Sequence, residues 1–314
     1  MHAWFVNEAV ISVVLQPLSP ILVKAGGEGA GSLDPTLPDM SFVRTRQRDG
    51  QVGDIFIPGS SFRGVLRSHA ERLVRSLFPH QACDVLHHKA EEGATLPPRC
   101  VRKLEGIGKK DSEKKEGGAA VYRQSCYACR AFGNTMIASK VRVSDLYLVD
   151  ADKAETAVRY GVAIDRVTGA VAHGPWEMEV LTRGSLQGTV QVRNFTLGQL
   201  GLVAASLLDM ADGLVPIGLG KSRGLGRVRL EFPNITLRYL RQPPYPLAGV
   251  EDLIPADDAV LNGYPRPSSG KRAAVELPPA QRKGLFHVVQ VSDGYKLLQE
   301  CAPLWVTELE EEQR

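Results

Sequence analysis

The 314-residue chain has no apolar run near the roughly 20 residues that crossing a bilayer takes. Its first fifteen residues lack the basic, apolar and small-residue succession of a secretory leader. Both absences point to a cytoplasmic protein with no membrane partner. An excess of either charge is missing too: 38 Lys and Arg against 35 Asp and Glu leave a net +3, which selects no ligand class. No internal repeat is visible, so a solenoid or propeller is excluded. Cysteines are few and odd in number, five in all. In a reducing compartment that argues against a disulfide framework, and for a metal wherever cysteines cluster.

What is present is enough chain for about two domains, and a 43% apolar share that supports a substantial core. The charges are unevenly placed. Residues 41–78 hold Arg44, Arg46, Arg48, Arg63, Arg67, Arg72 and Arg75 against Asp49, Asp54 and Glu71. Residues 215–231 hold Lys221, Arg223, Arg227 and Arg229 against a single Glu, while Glu308, Glu310, Glu311 and Glu312 form an acidic end. Basic stretches beside glycines suit phosphates, which bind Arg, Lys and exposed backbone N–H groups.

Residues 5–15 alternate and are rich in Val and Ile, which predicts a strand. Residues 17–57 read as a long irregular segment. Pro58 and Gly59 lead into Ser60 and Ser61, good helix caps, after which Phe62, Val65, Leu66, Leu73, Val74 and Leu77 recur at helical spacing. Residues 79–136 read as an insertion, 140–148 as a strand, 159–181 as a hairpin and 188–195 as a strand. Thr196 caps a second helix that ends at Gly213, and 224–232 reads as the strand after it. The order predicts an α+β fold with a βαββαβ ferredoxin-like core over residues 1–240. Residues 242–279 carry eight prolines and read as a linker or arm. Residues 285–291 are a further strand candidate within a 241–314 extension.

Three pieces could carry chemistry. In VPIGLGKSRGLGRVR, residues 215–229, the glycines allow close approach while Lys221, Ser222, Arg223 and Arg227 supply donors. Its GKS ending resembles a phosphate loop, but Val215 stands where that motif has glycine and the segment runs from helix to strand, so a nucleotidase is rejected. Cys126 and Cys129 form a CxxC pair that, with Cys83 and Cys100 upstream, can supply four thiolates to zinc; His80, His87 and His88 are possible substitutes. Cys301 lies apart and reads as a packed free thiol. Asp34 and Asp39 are loop carboxylates that a bound substrate could turn into catalysts or metal ligands.

IPGSSFRGVLRSHAERL, residues 57–73, resembles the signature that opens the first helix in the RAMP superfamily, the repeat-associated proteins of CRISPR systems. Four further resemblances follow in the family's order. These are Asp39-Met-Ser-Phe-Val-Arg44, Cys126-Tyr-Ala-Cys129-Arg-Ala-Phe132-Gly133, Gly161-Val-Ala-Ile-Asp165-Arg166-Val-Thr-Gly169-Ala170, and the glycine-rich 218–227. The combination resembles the backbone-subunit branch, the seventh Cas family type, of type III effectors.

The resemblance implies an RRM-like core and a subunit that polymerises along a guide crRNA beside other RAMP-type subunits, holding target RNA against it. By that resemblance Ser60, Ser61, Arg63, Arg67, Lys221, Ser222 and Arg223 grip the RNA backbone. Ile164 and Arg166 sit in a thumb hairpin that wedges into the guide–target duplex. Asp39, or failing it Asp34, cuts target RNA with Mg2+ or Mn2+; Met40-Ser41 replaces the family's small residue and proline after the aspartate. A non-catalytic scaffold and a precursor-processing endonuclease are the alternatives.

Overall fold

A computed structural model of the chain describes residues 4–24, 38–46, 52–84, 100, 104, 117–244, 247–255 and 277–313. Asp34, His87 and His88 lie outside the described residues. Strand β1 (Asn7–Pro17) has the period of two that its sequence predicts, with Ala9, Ile11, Val13 and Leu15 fully buried and Val10, Ser12 and Val14 turned to the opposite face. The stretch expected to be irregular also holds strands, β2 (Arg44–Arg46) and β3 (Val52–Ile57). Gly53 and Asp54 interrupt the alternation of β3, which pairs with short β2 on one side and with β5, far along the chain, on the other.

Helix α1 (Gly59–Leu77) buries Phe62, Leu66, Ala70 and Val74. Pro58 takes the capping position, so Ser60 and Ser61, expected as caps, lie exposed inside the first turn, and Leu77 ends up 57% exposed. Short helices α2 (Gly117–Gln124) and α3 (Tyr127–Phe132) follow, then β4 (Val141–Val143) and β5 (Leu146–Leu148). β6 (Glu155–Ile164) and β7 (Val171–Arg183) form a separate two-stranded hairpin, longer at both ends than 159–181. β8 (Leu186–Arg193), α4 (Leu197–Ala211) and β9 (Val228–Glu231) complete the core. Thr196 caps α4 reciprocally with Gln199, as its sequence predicts.

The core strands lie in the order β9, β1, β8, then β4 and β5, every pair antiparallel. Counted along the chain this is the 4-1-3-2 order of an RRM-like α+β fold, with α1 and α4 meeting through His69 and Asp209 at 2.6 Å.

Beyond it, β10 (Ile235–Tyr239) pairs with the first half of β1. A short helix α5 (Val250–Leu253) follows, and β11 (Gln281–Lys283) and β12 (Phe286–Val291) widen the sheet. α6 (Gly294–Cys301) and α7 (Leu304–Glu312) pack on α4. In the proline-rich stretch read as a linker, Leu247, Ala248 and Val250 are core residues. Cys301 is the packed thiol expected, and burial pushes it up to about 12.

Two of the four acidic residues at the end have partners in the fold. Glu308 is half-buried and accepts from Thr196 Oγ1 and the Gly198 amide, each at 2.8 Å, while Glu312 takes both Arg130 nitrogens at 2.9 and 2.5 Å. A carboxylate can leave water only where such donors meet it, and the N-terminus of α4 and Arg130 provide them. A second carboxylate, Glu251, accepts the Leu197 amide at 2.9 Å, and burial, reinforced by Glu308, pushes it up to about 8.

A folded-state value raised from 4.5 to about 8 means that the native protein binds more protons than the unfolded chain across that interval. Stability from this group is complete below the lower value and is lost as pH rises through the upper one. In urea unfolding between pH 5 and pH 7, Glu251→Gln, which keeps the acceptor for Leu197, is expected to flatten that decline. An identical slope in both proteins would contradict the assignment.

Candidate nucleic-acid interface and metal centre

Cys83, Cys100, Cys126 and Cys129 are all buried, and their sulfurs lie within 4.8 Å of one another. Four thiolates about 2.3 Å from a tetrahedral zinc stand roughly 3.8 Å apart, close to the 3.6 Å between Cys83 and Cys129. The Cys83 amide donates to Cys126 Sγ at 3.4 Å and the Cys126 amide to Cys100 Sγ at 3.2 Å, bonds that stabilise charge on sulfur. Hydrogen bonds with Cys100, Cys126 and Cys129 hold the Cys83 thiol far below the usual range, and those with Cys100, Cys126 and Cys83 push Cys129 far above it. Four buried sulfurs this close together fit a cation such as zinc. His80 is exposed and not part of the group.

The two arginines expected to grip RNA face this centre. Arg63 donates to the carbonyls of Phe132 and, at 3.3 Å, Val141. Arg67 donates to Glu71 at 2.7 Å, to the Gly133 carbonyl at 3.1 Å and to Cys129 Sγ at 3.8 Å. Burial and the charge of Arg67 lower Arg63; for Arg67 burial works the same way but the Glu71 carboxylate outweighs it. These contacts clamp the CxxC segment onto α1.

The opposite side of α1 is different. Ser60, Ser61, Gly64, Ser68 and Arg72 form one exposed stripe, and Arg72 lies nine residues, half a rotation, from Arg63. Across from it is Lys221, which is lowered by burial first and then by the charge of Arg72. Lys221, Ser222 and Arg223 are exposed on the glycine-rich loop. That loop needs glycine at 218, whose φ is +74° and whose missing Cβ leaves room for the Leu22 carbonyl. The first amide of α1 is already accepted by Asp145 at 2.7 Å, so the stripe offers an anion chiefly hydroxyls and the Arg72 guanidinium.

Residues 21–24 join three loops. Leu22 O accepts from Leu219 of the glycine-rich loop at 2.8 Å, Val23 O accepts from Val43 at 3.0 Å, and Ile21 pairs with Leu181 of β7. Asp39 lies exposed at the base of the β6–β7 hairpin, where its Oδ2 accepts the Glu177 amide at 2.9 Å and Met40 bridges Met178. Arg44 pairs with Glu179, which also accepts the Phe42 amide at 3.0 Å.

At the hairpin's far end, Asp165 Oδ1 accepts from the Val167 and Thr168 amides at 2.8 and 2.7 Å and from Thr168 Oγ1 at 3.1 Å. The Thr168 and Val167 amides hold its carboxyl below the ordinary range, and Gly169 closes the turn at φ +70°. Aspartate, threonine and glycine of the IDRVTGA run thus build a preorganised tip that presents Ile164, Arg166 and Val167, the last 94% exposed. Two site features escaped sequence reasoning. Arg72 was legible only as a member of the Ser61, Ser68 stripe; Asp145 sits 86 residues from the amide it bonds and carried no signal.

Purified without chelator, the protein is expected to carry about one zinc per chain, and Cys129→Ser to lose it. Arg67→Ala is expected to lower zinc affinity about tenfold or more, as outer-layer partners do. Stoichiometric zinc held with unchanged affinity in Arg67→Ala would contradict the clamp.

Among the described residues no helix is long and apolar enough to cross a membrane. No curated protein matches the chain. The model of the RAMP superfamily matches residues 14–229, which takes in the end of β1, α1, the cysteine centre, the hairpin and the glycine-rich loop. The chain therefore belongs to the RAMP superfamily, and is a CRISPR-associated RNA-binding protein.

Proposed function

We propose that this chain is a backbone subunit of a type III CRISPR effector, which holds guide crRNA along α1 and the glycine-rich loop and cuts target RNA beside the β6–β7 hairpin. The observation that carries the reading is the junction at residues 21–24, which ties the cationic loop, the Asp39 segment and the hairpin base to one strap. The guide backbone runs over Ser60, Ser61, Ser68 and Arg72 toward Lys221, Ser222 and Arg223. The tip residues Ile164, Arg166 and Val167 wedge between base pairs, an exposed apolar end being what unstacking needs. Neighbouring RAMP-type subunits repeat the arrangement along the guide.

Cutting here is the attack of a ribose 2′-oxygen on its own phosphate. The 2′-hydroxyl loses its proton, a 2′,3′-cyclic phosphate forms, and the 5′-oxygen of the next nucleotide leaves and is protonated. A displaced base frees that backbone to adopt the in-line arrangement, so positioning supplies much of the rate. Asp39, fixed by the Glu177 amide, is the carboxylate beside that path. A single exposed carboxylate suits Mg2+ or Mn2+, which bind through one or two carboxylates with phosphate and water for the rest. Such an ion would neutralise charge on the phosphate.

A scaffold that binds without cutting is the second reading, favoured by the Met40-Ser41 departure after Asp39. In the assembled complex with Mg2+, Asp39→Ala is expected to abolish cleavage at this subunit's position with binding intact. A target left whole by the unaltered complex would select the scaffold. Unaltered cleavage in Asp39→Ala would move the chemistry to Asp34 or to another chain. Arg72→Ala and Lys221→Ala are each expected to weaken RNA binding and to reduce the salt slope by about one. Unchanged slopes in both would contradict this path for the guide. Precursor RNA with the purified chain and EDTA is expected to give no product; a product would favour the processing alternative.

A further inference from the structure

The sheet face turned away from α1 and α4 carries features that the reading above does not use. Phe56 of β3 and Tyr147 of β5 are cross-strand neighbours whose rings stack with centroids 5.7 Å apart and planes at 21°. Tyr147 is half exposed. Its hydroxyl donates to Asp145 Oδ2 at 3.2 Å, and the other oxygen of that carboxylate accepts the Gly59 amide at 2.7 Å. The ring is therefore held in one orientation and tied to the turn of α1 that presents Ser60 and Ser61. Beside it on β8 stands exposed Gln187, and about 14 Å further along that strand Gln191 neighbours exposed Arg142.

We propose that Phe56 and Tyr147 form a stacking platform for one base of single-stranded RNA. The platform rests on the RNA-binding reading above and extends it from the sugar–phosphate track to a base. Flat rings on a rigid strand pair accept any base through its π-face. The surroundings favour a nucleotide over a protein patch. Protein interfaces are apolar at their centres, whereas here Gln187, Thr189, Gln191 and Ser12 share the face with Arg142 and Arg229, opposed by Glu231. Arg193 and Arg238 on the same face are already paired with buried Glu8, so Arg142 is the cation near the platform that stands in no ion pair among the described residues.

The full-length chain would be mixed with a mixed-sequence single-stranded RNA carrying 5-iodouridine, irradiated, and the crosslinks mapped by mass spectrometry. Affinity would be measured across salt for the unaltered protein, Tyr147→Ala, Tyr147→Phe and Phe56→Leu. A crosslink at Tyr147 is expected, with about a tenfold loss of affinity in Tyr147→Ala, little loss in Tyr147→Phe, and an unchanged salt slope because stacking releases no counterions. Crosslinks confined to other residues, with Tyr147→Ala binding like the unaltered protein, would overturn the platform. So would a change in self-association of Tyr147→Ala at constant RNA affinity, which would make the face a protein contact. Absence of RNA binding by the unaltered chain would remove the RNA-binding reading itself, and the platform with it.

Discussion

Residues 21–24, the extended stretch that follows β1, exchange backbone hydrogen bonds with the glycine-rich loop, the Val43 strand segment and β7. These segments are far apart in sequence, and each enters the core through buried side chains, Phe42, Val180 and Leu181, and Ile217 and Leu225. Backbone groups drawn away from water must be paired. Supplying those pairs from a stretch anchored by buried Ile21 and Leu22 sets the spacing of the cationic loop, the Asp39 segment and the hairpin base together. Glycine at 218 belongs to the same constraint, because a side chain there would occupy the space of the Leu22 carbonyl that the loop bonds.

A second junction does for α1 what the strap does for the loops. The cysteine centre pins a long insertion, and Arg63 and Arg67 carry that rigidity into the helix through the carbonyls of Phe132, Val141 and Gly133 and through Cys129 Sγ. The carboxyl-terminal helices close the other side: Glu312 satisfies Arg130, adjacent to Cys129, and Glu308 satisfies the start of α4. Arg130 is buried and Glu312 lies at the surface, so the pair closes the edge of the centre rather than its interior. The extension is thus part of the structural unit that holds the cysteine-bearing segment, although it lies beyond the family's matched span.

Much of this was legible in the sequence. The alternation of β1, the spacing of Phe62, Leu66 and Val74, the Thr196 cap and the four cysteines each encode their outcome locally. What was not legible depends on partners distant along the chain. Arg63 and Arg67 sit in a family-like motif, yet their donors meet carbonyls of the insertion, which no spacing rule reveals. The acidic end gave no sign of its partners because the donors that meet it are on α3 and α4. β3 was hidden by Gly53 and Asp54, since its strand character comes from pairing with β2 and β5.

Hydrogen–deuterium exchange of the full-length chain, with and without a single-stranded RNA, tests the shared strap most directly. If one strap sets all three loops, amides in residues 21–24, 40–43 and 217–226 are expected to gain protection together and over the same RNA concentrations. Protection confined to one of these segments, with the others exchanging as in the free protein, would contradict the account.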